Sequence, residues 1–289
     1  MDDRSDGNGS LAAHAASAVL AWALCSEPGP VRQNNEDFAG AYVSSAPEEA
    51  WERPPLFAVA DGMGGHAAGE VASRIAVERA LELWSGGDPS SGAAGLRTAA
   101  RAANLAVIDA ADSPERRGMG TTLTLLTMSG REATIAHVGD SRVYRIRDDS
   151  CTQLTSDHSR AGDMLRMKLI TAEQAAVHPA RSQLTRSLGH DPLVQVDVYR
   201  ERVVFGDVFV LCSDGLWDVV GRDDFVLVAQ GRISSAGSDR PTPAEVAGGL
   251  VGIAIERGAA DNVTAVVVQV TSDRPVPPEP RRGLFRRRS

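Results

Sequence analysis

The stretch from Leu56 to Glu70, LFAVADGMGGHAAGE, constrains the fold of this chain most strongly. It begins with five apolar residues that predict a short buried strand, and it continues with Asp61 and several glycines. Glycines let the backbone bend sharply and approach a ligand closely, and a helical pattern follows from Gly69. The stretch therefore predicts a strand, a tight turn and a helix that hold the Asp61 carboxylate rigidly. A nucleotide pyrophosphate and a hard metal ion would both suit such a turn.

The nucleotide interpretation starts from residues 62–67, GMGGHA, which fit the loose G-x-G-x-x-A dinucleotide fingerprint. Two features count against it. Asp61 would place a negative charge directly behind the pyrophosphate. The acid expected about 20 residues further on should end a second strand, whereas Glu82 lies within helix-like sequence. A lone glycine fingerprint is weak evidence. The other acids of the chain are therefore needed to choose between a nucleotide site and a metal site.

Two further acids stand at the ends of predicted strands. Asp214 follows the strand predicted to start at Asp207, and Asp261 precedes Asn262 and the strand predicted over Val263 to Val270. Burying several carboxylates together costs several kcal/mol per uncompensated charge, so a shared site needs a cation. Hard oxygen ligands favour Mg²⁺ or Mn²⁺ over Zn²⁺.

A turn-rich loop at residues 26–37 adds an arginine and two adjacent acids. Adjacent side chains of an extended chain point to opposite sides, so at most one of Glu36 and Asp37 faces a given site. The loop is either an ordinary solvated segment or supplies one metal ligand, with Arg32 as a bidentate phosphate clamp. Asp140 lies in a predicted hairpin turn, where an acid is common for purely local reasons.

Composition narrows the class of protein. The chain has 289 residues and a formal net charge of −8; five arginines in the last nine residues leave −13 for the rest, which argues against nucleic acid as a partner. Its three scattered cysteines, Cys25, Cys151 and Cys212, predict core positions in a reducing compartment rather than disulfides or a zinc site.

The Ala-rich segment at 11–25 follows acidic residues and lacks a cleavage site, so it does not predict a signal peptide. No apolar stretch reaches the about 20 residues of a membrane span.

Seven short segments contain these acids and glycines in a fixed order. They are RQNNED at 32–37, ADGMGGH at 60–66, GMGTT at 118–122, VGDSRVY at 138–144, LTSDHS at 154–159, LCSDGLW at 211–217 and DNVT at 261–264. Together they make the sequence resemble the metal-dependent protein phosphatases of the type 2C (PPM) family, in its bacterial form, over residues 19–271. The resemblance implies an α+β fold: a four-layer α-β-β-α sandwich of two mostly antiparallel sheets with helices on the outer faces.

The same resemblance implies two Mn²⁺ or Mg²⁺ ions per active site and a weaker third. Asp61 would bridge the first two ions, and Asp214 and Asp261 would complete the shell of the first. Glu36 and the Gly62 carbonyl would hold the second. Asp140, in the hairpin turn, matches the ligand of the third ion, which it would share with Asp214.

Three further positions take roles by the same match, and a fourth departs from it. Arg32 matches the phosphate-binding arginine, and Asp37 and Asn262 would support the ligands and metal-bound waters from behind. Some members of the family have a histidine directly after the Asp-Gly pair, proposed as the general acid, where this chain has Met63. His66 is the candidate replacement, although a histidine in a turn is more often a capping or surface residue.

The implied function is a cytoplasmic phosphoserine/phosphothreonine protein phosphatase. Two divalent ions about 3.5–4 Å apart would lower the pKa of a bridging water and hold it in line with phosphorus, while Arg32 helps to offset phosphoryl charge, without a phosphoenzyme. The expected partners are phosphorylated targets of a bacterial serine/threonine kinase, and the expected state is a monomer. Two alternatives stay open, a non-catalytic pseudophosphatase that binds phosphoproteins and the nucleotide-binding protein. Retention of the metal carboxylates argues against the first.

The expected domain organisation has three parts. Residues 1–17 are predicted to be a disordered N-terminal segment, 18–271 the phosphatase catalytic domain, and 272–289 a disordered Pro-rich and Arg-rich tail. The tail could also touch an anionic surface. Within the domain, the less apolar segment around residues 160–190 is interpreted as a flap over the site.

Overall fold

The computed structural model describes residues 12–17, 20–44, 54–64, 68–86, 92–232 and 240–271. These ranges contain twelve strands and seven α-helices, with a short 3₁₀ turn at Pro114–Arg116. The strands are β1 (Ala12–Ser17), β2 (Leu20–Glu27), β3 (Asp37–Tyr42), β4 (Leu56–Met63), β5 (Gly120–Thr121), β6 (Leu123–Ser129), β7 (Glu132–Val138), β8 (Arg142–Arg147), β9 (Ser150–Gln153), β10 (Asp197–Arg202), β11 (Val208–Cys212) and β12 (Val263–Val270). The helices are α1 (Ala68–Gly86), α2 (Gly92–Ala110), α3 (Arg160–Arg166), α4 (Ala172–Ala176), α5 (Asp214–Trp217), α6 (Arg222–Ala229) and α7 (Pro243–Glu256).

The strands of these ranges form two antiparallel sheets. The first has the order β1-β2-β12-β11-β8-β9, and the second has the order β10-β7-β6-β4-β3, with β5 paired to β4. Side chains alternate between the two faces of a strand. In β11, Phe209 and Leu211 therefore pack in the core between the sheets, whereas Val210 packs beneath the helices of the first sheet. The central strands β4, β11 and β12 are therefore buried on both faces.

Helices cover the outer face of each sheet. Helices α1 and α2 pack on the second sheet through small residues such as Ala72, Ala76 and Ala103, which let the two helices and the sheet approach closely. Helices α5, α6 and α7 pack on the first sheet. Helix α7 begins with a capping box between Thr242 and Glu245. The four-layer α-β-β-α sandwich implied by the sequence is confirmed.

Strand β1 differs from the predicted organisation. Ala12–Ser17 pairs antiparallel with β2, and Ala12 lies opposite Leu24, although the segment 1–17 is predicted to be disordered. An Ala-rich segment has little strand propensity of its own, so the pairing with the edge of an existing sheet decides its structure. The rest of the predicted N-terminal segment and the tail at 272–289 lie outside the described residues.

The segment around residues 160–190, interpreted above as a flap, lies between β9 and β10 and carries the short helices α3 and α4. An antiparallel bridge between Ser159 and Leu184 joins the start of this segment to a position near its end. Arg181 forms an ion pair with Asp218, which directly follows α5. No helix in the described part of the chain is both long and apolar enough to cross a membrane.

Candidate functional site

Strands β3 and β4 place two acids side by side. Asp37 begins β3 and lies directly opposite Asp61 in the antiparallel register. Strand β4 does not end at Asp61 as predicted but continues to Met63, because its last two residues pair with β5. The Asp61 N–H donates to Thr122 Oγ1 at 2.8 Å, and its carbonyl accepts from the Thr122 N–H at 2.9 Å. The Asp61 backbone is therefore fixed from the neighbouring strands.

Two glycines make room for Glu36. The Gly62 N–H donates to the Glu36 carbonyl at 3.1 Å, and the Ser73 hydroxyl donates to the same oxygen at 2.6 Å. A Cβ at Gly69, in the first turn of α1, would lie 2.5 Å from Glu36 Oε2, and a Cβ at Gly62 would lie 2.6 Å from the Glu36 carbonyl oxygen. A Cβ at Gly62 would also lie 2.1 Å from the Gly69 carbonyl oxygen, which is part of the backbone and cannot move aside easily. The glycine-rich turn therefore lets the strand, the helix and Glu36 meet.

Asp37 is buried and is held by residues of the opposite sheet. Ser213 Oγ donates to Asp37 Oδ2 at 2.6 Å, and the Thr264 N–H donates to Ser213 Oγ at 3.1 Å. Burial raises the pKa of Asp37 to about 7, although hydrogen bonds from Ser213 and Thr264 oppose this rise. Asp37 thus joins the two sheets at the site.

Asp61 and Asp214 occupy the same crowded space. Burial, followed by the charge of Asp214, raises the pKa of Asp61 well above its usual value. The charges of Asp37, Asp140 and Asp261 act on Asp61 in the same direction. Burial and the charge of Asp261 raise the pKa of Asp214 to about 6, while its contact with Asp61 opposes the rise. Asp214 Oδ1 is buried without a hydrogen-bond partner. An orphaned acceptor among crowded acids is what a bound cation would compensate.

Asp261 and Asn262 hold the loop that carries Arg32 and Glu36. Arg32 Nη2 donates to Asp261 Oδ2 at 2.6 Å, and this pair is largely exposed. Asn262 Oδ1 accepts from the Glu36 N–H at 2.8 Å, and its amide donates to two carbonyl oxygens of the same loop. Asn262 therefore fixes the conformation of this loop, although the loop lies more than 200 residues earlier in the sequence.

Asp140 lies in the turn between β7 and β8, and its side chain is buried. Burial, then the charge of Asp214, raises the pKa of Asp140 well above its usual value. Trp217 Nε1 donates to the Asp140 carbonyl at 3.0 Å. Asp140 therefore does more than form the hairpin turn, because its carboxylate lies near that of Asp214. His66 lies outside the described residues.

A cation fits the chemistry of this group, although no preformed cage is seen. In the ranges that the structure describes, no three His, Cys, Asp or Glu side chains are arranged as a metal-ion cluster. Arg32 takes one oxygen of Asp261, and Asp61 and Asp214 face each other. The donors are all oxygens, and the orphaned oxygen of Asp214 lies among them. This donor set suits a hard divalent ion.

Sequence reasoning missed three hydroxyl residues of the site. Thr122 Oγ1 accepts from the Asp61 N–H and lies 2.7 Å from Ser141 Oγ, and Ser213 binds Asp37. All three are buried. Two of them, Ser141 and Ser213, stand next to a candidate acid in the sequence, and this adjacency was the available signal.

Comparison with known proteins decides the family. The sequence model of the family described as protein phosphatase 2C matches residues 33–246, well over half of the chain. The chain belongs to the protein phosphatase 2C family. The matched range includes Glu36, Asp61, Asp140 and Asp214, and it ends before Asp261.

Individual relatives within the protein phosphatase 2C family agree. Serine/threonine protein phosphatase PstP of Mycobacterium tuberculosis is 39% identical over 256 residues, which cover 87% of this chain and 45% of PstP. Serine/threonine phosphatase stp of Listeria innocua is 33% identical over 246 residues, 83% of this chain and 92% of that protein. The crystal structure of the PstP catalytic domain in complex with two manganese ions has a TM-score of 0.72 and 35% identity, and the match covers 88% of this chain and 99% of that one. The chain therefore spans less than half the length of PstP.

Membership of the protein phosphatase 2C family also removes one alternative. A dinucleotide fold needs a parallel sheet at its glycine turn, whereas β4 pairs antiparallel with β3, β5 and β6. The interpretation of the glycine fingerprint as a dinucleotide-binding turn is therefore wrong.

Proposed function

We propose that this protein is a metal-dependent phosphatase that hydrolyses phosphoserine and phosphothreonine in proteins. The proposal is carried by the crowding of four other acids around Asp61, together with the unpartnered Asp214 Oδ1. Membership of the protein phosphatase 2C family supports it, as do the names of the two relatives. The two manganese ions of the related PstP structure support the choice of cofactor.

The acids of the site would hold two Mn²⁺ or Mg²⁺ ions, with a weaker third at Asp140. The proposed ligands are Glu36, Asp61, the Gly62 carbonyl, Asp140, Asp214 and Asp261. When bound, such ions acidify water for attack on phosphorus and withdraw charge from the phosphoryl oxygens. The protein contributes rigid placement: Thr122 fixes the Asp61 backbone, and Asn262 fixes the Glu36 loop.

Arg32 is proposed to bind the phosphoryl group. Its guanidinium lies at the exposed edge of the site and donates to Asp261. An exposed ion pair contributes little free energy, so a phosphate can replace this partner at small cost. The planar guanidinium can then donate two hydrogen bonds to the phosphoryl oxygens.

The proposed general acid for the leaving alkoxide is His66, because Met63 carries no proton to donate. A comparison of pH–rate profiles between wild type and His66→Ala tests this role. The substitution is expected to remove the fall in rate at high pH that marks deprotonation of the general acid. An unchanged profile would assign the proton to another group or to solvent.

We propose phosphorylated targets of a bacterial serine/threonine kinase as the substrates, in the cytoplasm, and a monomer as the active state. The tail at 272–289 is proposed to touch an anionic surface. Light scattering tests the monomer, and pelleting with anionic vesicles, with and without the tail, tests the surface contact. A dimer, or equal pelleting of both forms, would contradict these two proposals.

Phosphate release from phosphoserine and phosphothreonine peptides tests the proposed function. Hydrolysis is expected with Mn²⁺ and is expected to stop with a chelator. Asp61→Asn should show no turnover in the same assay. Peptide binding without phosphate release by the wild type would favour a pseudophosphatase, and release that a chelator leaves unchanged would overturn the metal-dependent mechanism.

A further inference from the structure

Two hydrogen bonds join His158 to Gly139, the residue directly before Asp140. The His158 N–H donates to the Gly139 carbonyl at 2.8 Å, and the Gly139 N–H donates to His158 Nδ1 at 3.0 Å. The His158 side chain is fully buried. Both polar groups of the Gly139 backbone are thus held by one residue, which lies in a different segment of the chain.

The hydrogen bonds fix the tautomer of the His158 ring. Because Nδ1 accepts from a backbone N–H, the proton of the neutral ring lies on Nε2, and it is donated to Asp197 Oδ2 at 3.1 Å. Burial lowers the pKa of His158, which keeps the ring neutral near pH 7. Arg186 Nη1 donates to Asp197 Oδ1 at 2.8 Å and to the Gln195 carbonyl at 3.2 Å. Its 3.1 Å approach to His158 Nε2 is then a contact between two donors.

Gly139 has a backbone conformation that glycine adopts readily and other residues rarely adopt. Its φ of +111° lies where L side chains are rare, and a Cβ would lie 2.5 Å from Thr122 Cγ2. Glycine is flexible, so contacts from residues in other segments hold the turn in place. Besides His158, these are Trp217, which binds the Asp140 carbonyl, and Thr122, which contacts Ser141.

His158 also lies at the base of the flap segment. Its carbonyl accepts from the Thr185 N–H at 2.8 Å, next to the bridge between Ser159 and Leu184. His158 therefore connects the base of the flap segment, near the bridge between Ser159 and Leu184, to the turn that carries Asp140.

We propose that His158 is a positioning residue that places the Asp140 carboxylate in the site by holding the Gly139 peptide. The consequence for metal binding rests on the proposed function, in which Asp140 holds a divalent cation. The position of the turn itself does not depend on that function. His158 does not touch the substrate in this proposal, and it acts only through Asp140.

Two substitutions separate the two ends of the imidazole. His158→Asn places an amide oxygen near the position of Nδ1, so it keeps an acceptor for the Gly139 N–H and gives up the reach to Asp197. His158→Gln places its amide near the position of Nε2, so it keeps the reach to Asp197 and gives up the acceptor for Gly139. The two variants are matched controls for each other.

Amide hydrogen exchange of the peptide at residues 138–144, in the metal-free protein, tests the positioning directly. Exchange is expected to be tenfold or more faster in His158→Gln and within threefold of wild type in His158→Asn. Equal exchange in His158→Gln and wild type overturns the proposal, as does acceleration of the same size in both variants. Thermal unfolding of each variant checks that the fold is retained.

Calorimetric titration with Mn²⁺ tests the consequence. Asp140→Asn is expected to lose or weaken the weakest site of the wild type, and His158→Gln is expected to weaken the same site at least tenfold. Because His158 acts through Asp140, His158→Gln should add no further loss in the Asp140→Asn background. Additive losses, or an Asp140→Asn variant that binds Mn²⁺ like wild type, contradict the proposal. If the wild type binds no Mn²⁺, the proposed function fails, and the exchange result still decides the role of His158.

If His158→Gln does not fold, His158→Asn and Asp197→Ala carry the test. Both keep the hydrogen bond to Gly139, so both should exchange at 138–144 and bind Mn²⁺ like wild type. Accelerated exchange or loss of the weakest site in either variant overturns the proposal.

Discussion

Ser213 donates a 2.6 Å hydrogen bond to the carboxylate of Asp37, and this bond joins the two sheets of the sandwich. Ser213 directly follows β11 of the first sheet, and Asp37 begins β3 of the second. Both side chains are buried, and Asp37 lies beside Asp61 and near Asp214. The acids are thus gathered where the ends of the two sheets are fastened together.

Ser213→Ala should lower the free energy of unfolding by about 1–3 kcal/mol, because it leaves a buried carboxylate oxygen without its donor. Urea unfolding of the metal-free protein measures this cost. Ser26→Ala is the matched control: its hydroxyl pairs with Thr264 at 2.7 Å in a less buried position, and it should cost less. A Ser213→Ala protein as stable as wild type would show that the bond does not hold the sheets together.

Arg32→Ala should lower kcat/KM by about 10²-fold while changing stability by no more than about 0.5 kcal/mol. The stability change is small because the pair between Arg32 and Asp261 is largely exposed. Arg32→Lys keeps the charge without the planar fork and should recover only part of the loss. Steady-state kinetics on a phosphothreonine peptide measures both variants.

Arg79→Ala is the control for Arg32, since Arg79 is an exposed arginine of α1 paired with Glu82. Its kinetics should match those of wild type. Equal losses in Arg32→Ala and Arg79→Ala, or no loss in either, would remove the phosphate-binding role.

Asp214→Asn should lower hydrolysis by at least about 10²-fold and leave the circular dichroism spectrum unchanged. The amide has nearly the same shape as the carboxylate, so packing is retained while a proposed ligand is lost. Phosphate release with saturating Mn²⁺ measures the effect. Turnover close to wild type would exclude Asp214 from the metal site.

His137 predicts an acid-sensitive component of stability. Burial, and next the neighbouring His158, lowers the pKa of His137 from 6.5 to about 3. Below pH 6.5 the unfolded chain therefore takes up a proton that the folded chain does not. This stabilising contribution is complete above pH 6.5 and is lost as the pH falls toward 3. Between pH 7 and pH 5 the free energy of unfolding should fall by about 2 kcal/mol from this source.

His137→Asn keeps a partner near Nδ1 for Thr124 and removes the ionisation. The variant should be less stable than wild type at pH 7 but should lose about 2 kcal/mol less between pH 7 and pH 5. Urea unfolding at the two pH values measures the difference. Parallel curves for wild type and His137→Asn would contradict this origin of the acid sensitivity.

Much of the fold follows from local sequence. Continuous apolar runs predict β4, β11 and β12, and the helical spacing of Val246, Leu250 and Ile253 predicts α7. Local sequence does not predict helix α6, because it has only eight residues and its apolar residues are consecutive rather than spaced with the helical period. Strand β1 depends on pairing with β2 rather than on its own residues.

The candidate site divides in the same way. Asp61 and Asp214 are marked by the glycines that follow them, but Asp140 looks like any acid in a hairpin turn. Its burial depends on Trp217 and His158, whose contacts join segments of the chain that no local pattern relates. The hydrogen bond of Asp37 to Ser213 spans 176 residues and is likewise invisible in either segment alone.

Equilibrium dialysis against Mn²⁺, followed by metal analysis of the protein, tests the central claim most directly. Wild type should retain two tightly bound ions per chain, as expected for a pair of ions around Asp61. Asp61→Asn, with its fold checked by circular dichroism, should retain fewer than two. A wild-type protein that retains no Mn²⁺, or an Asp61→Asn protein that retains both ions, would contradict the account.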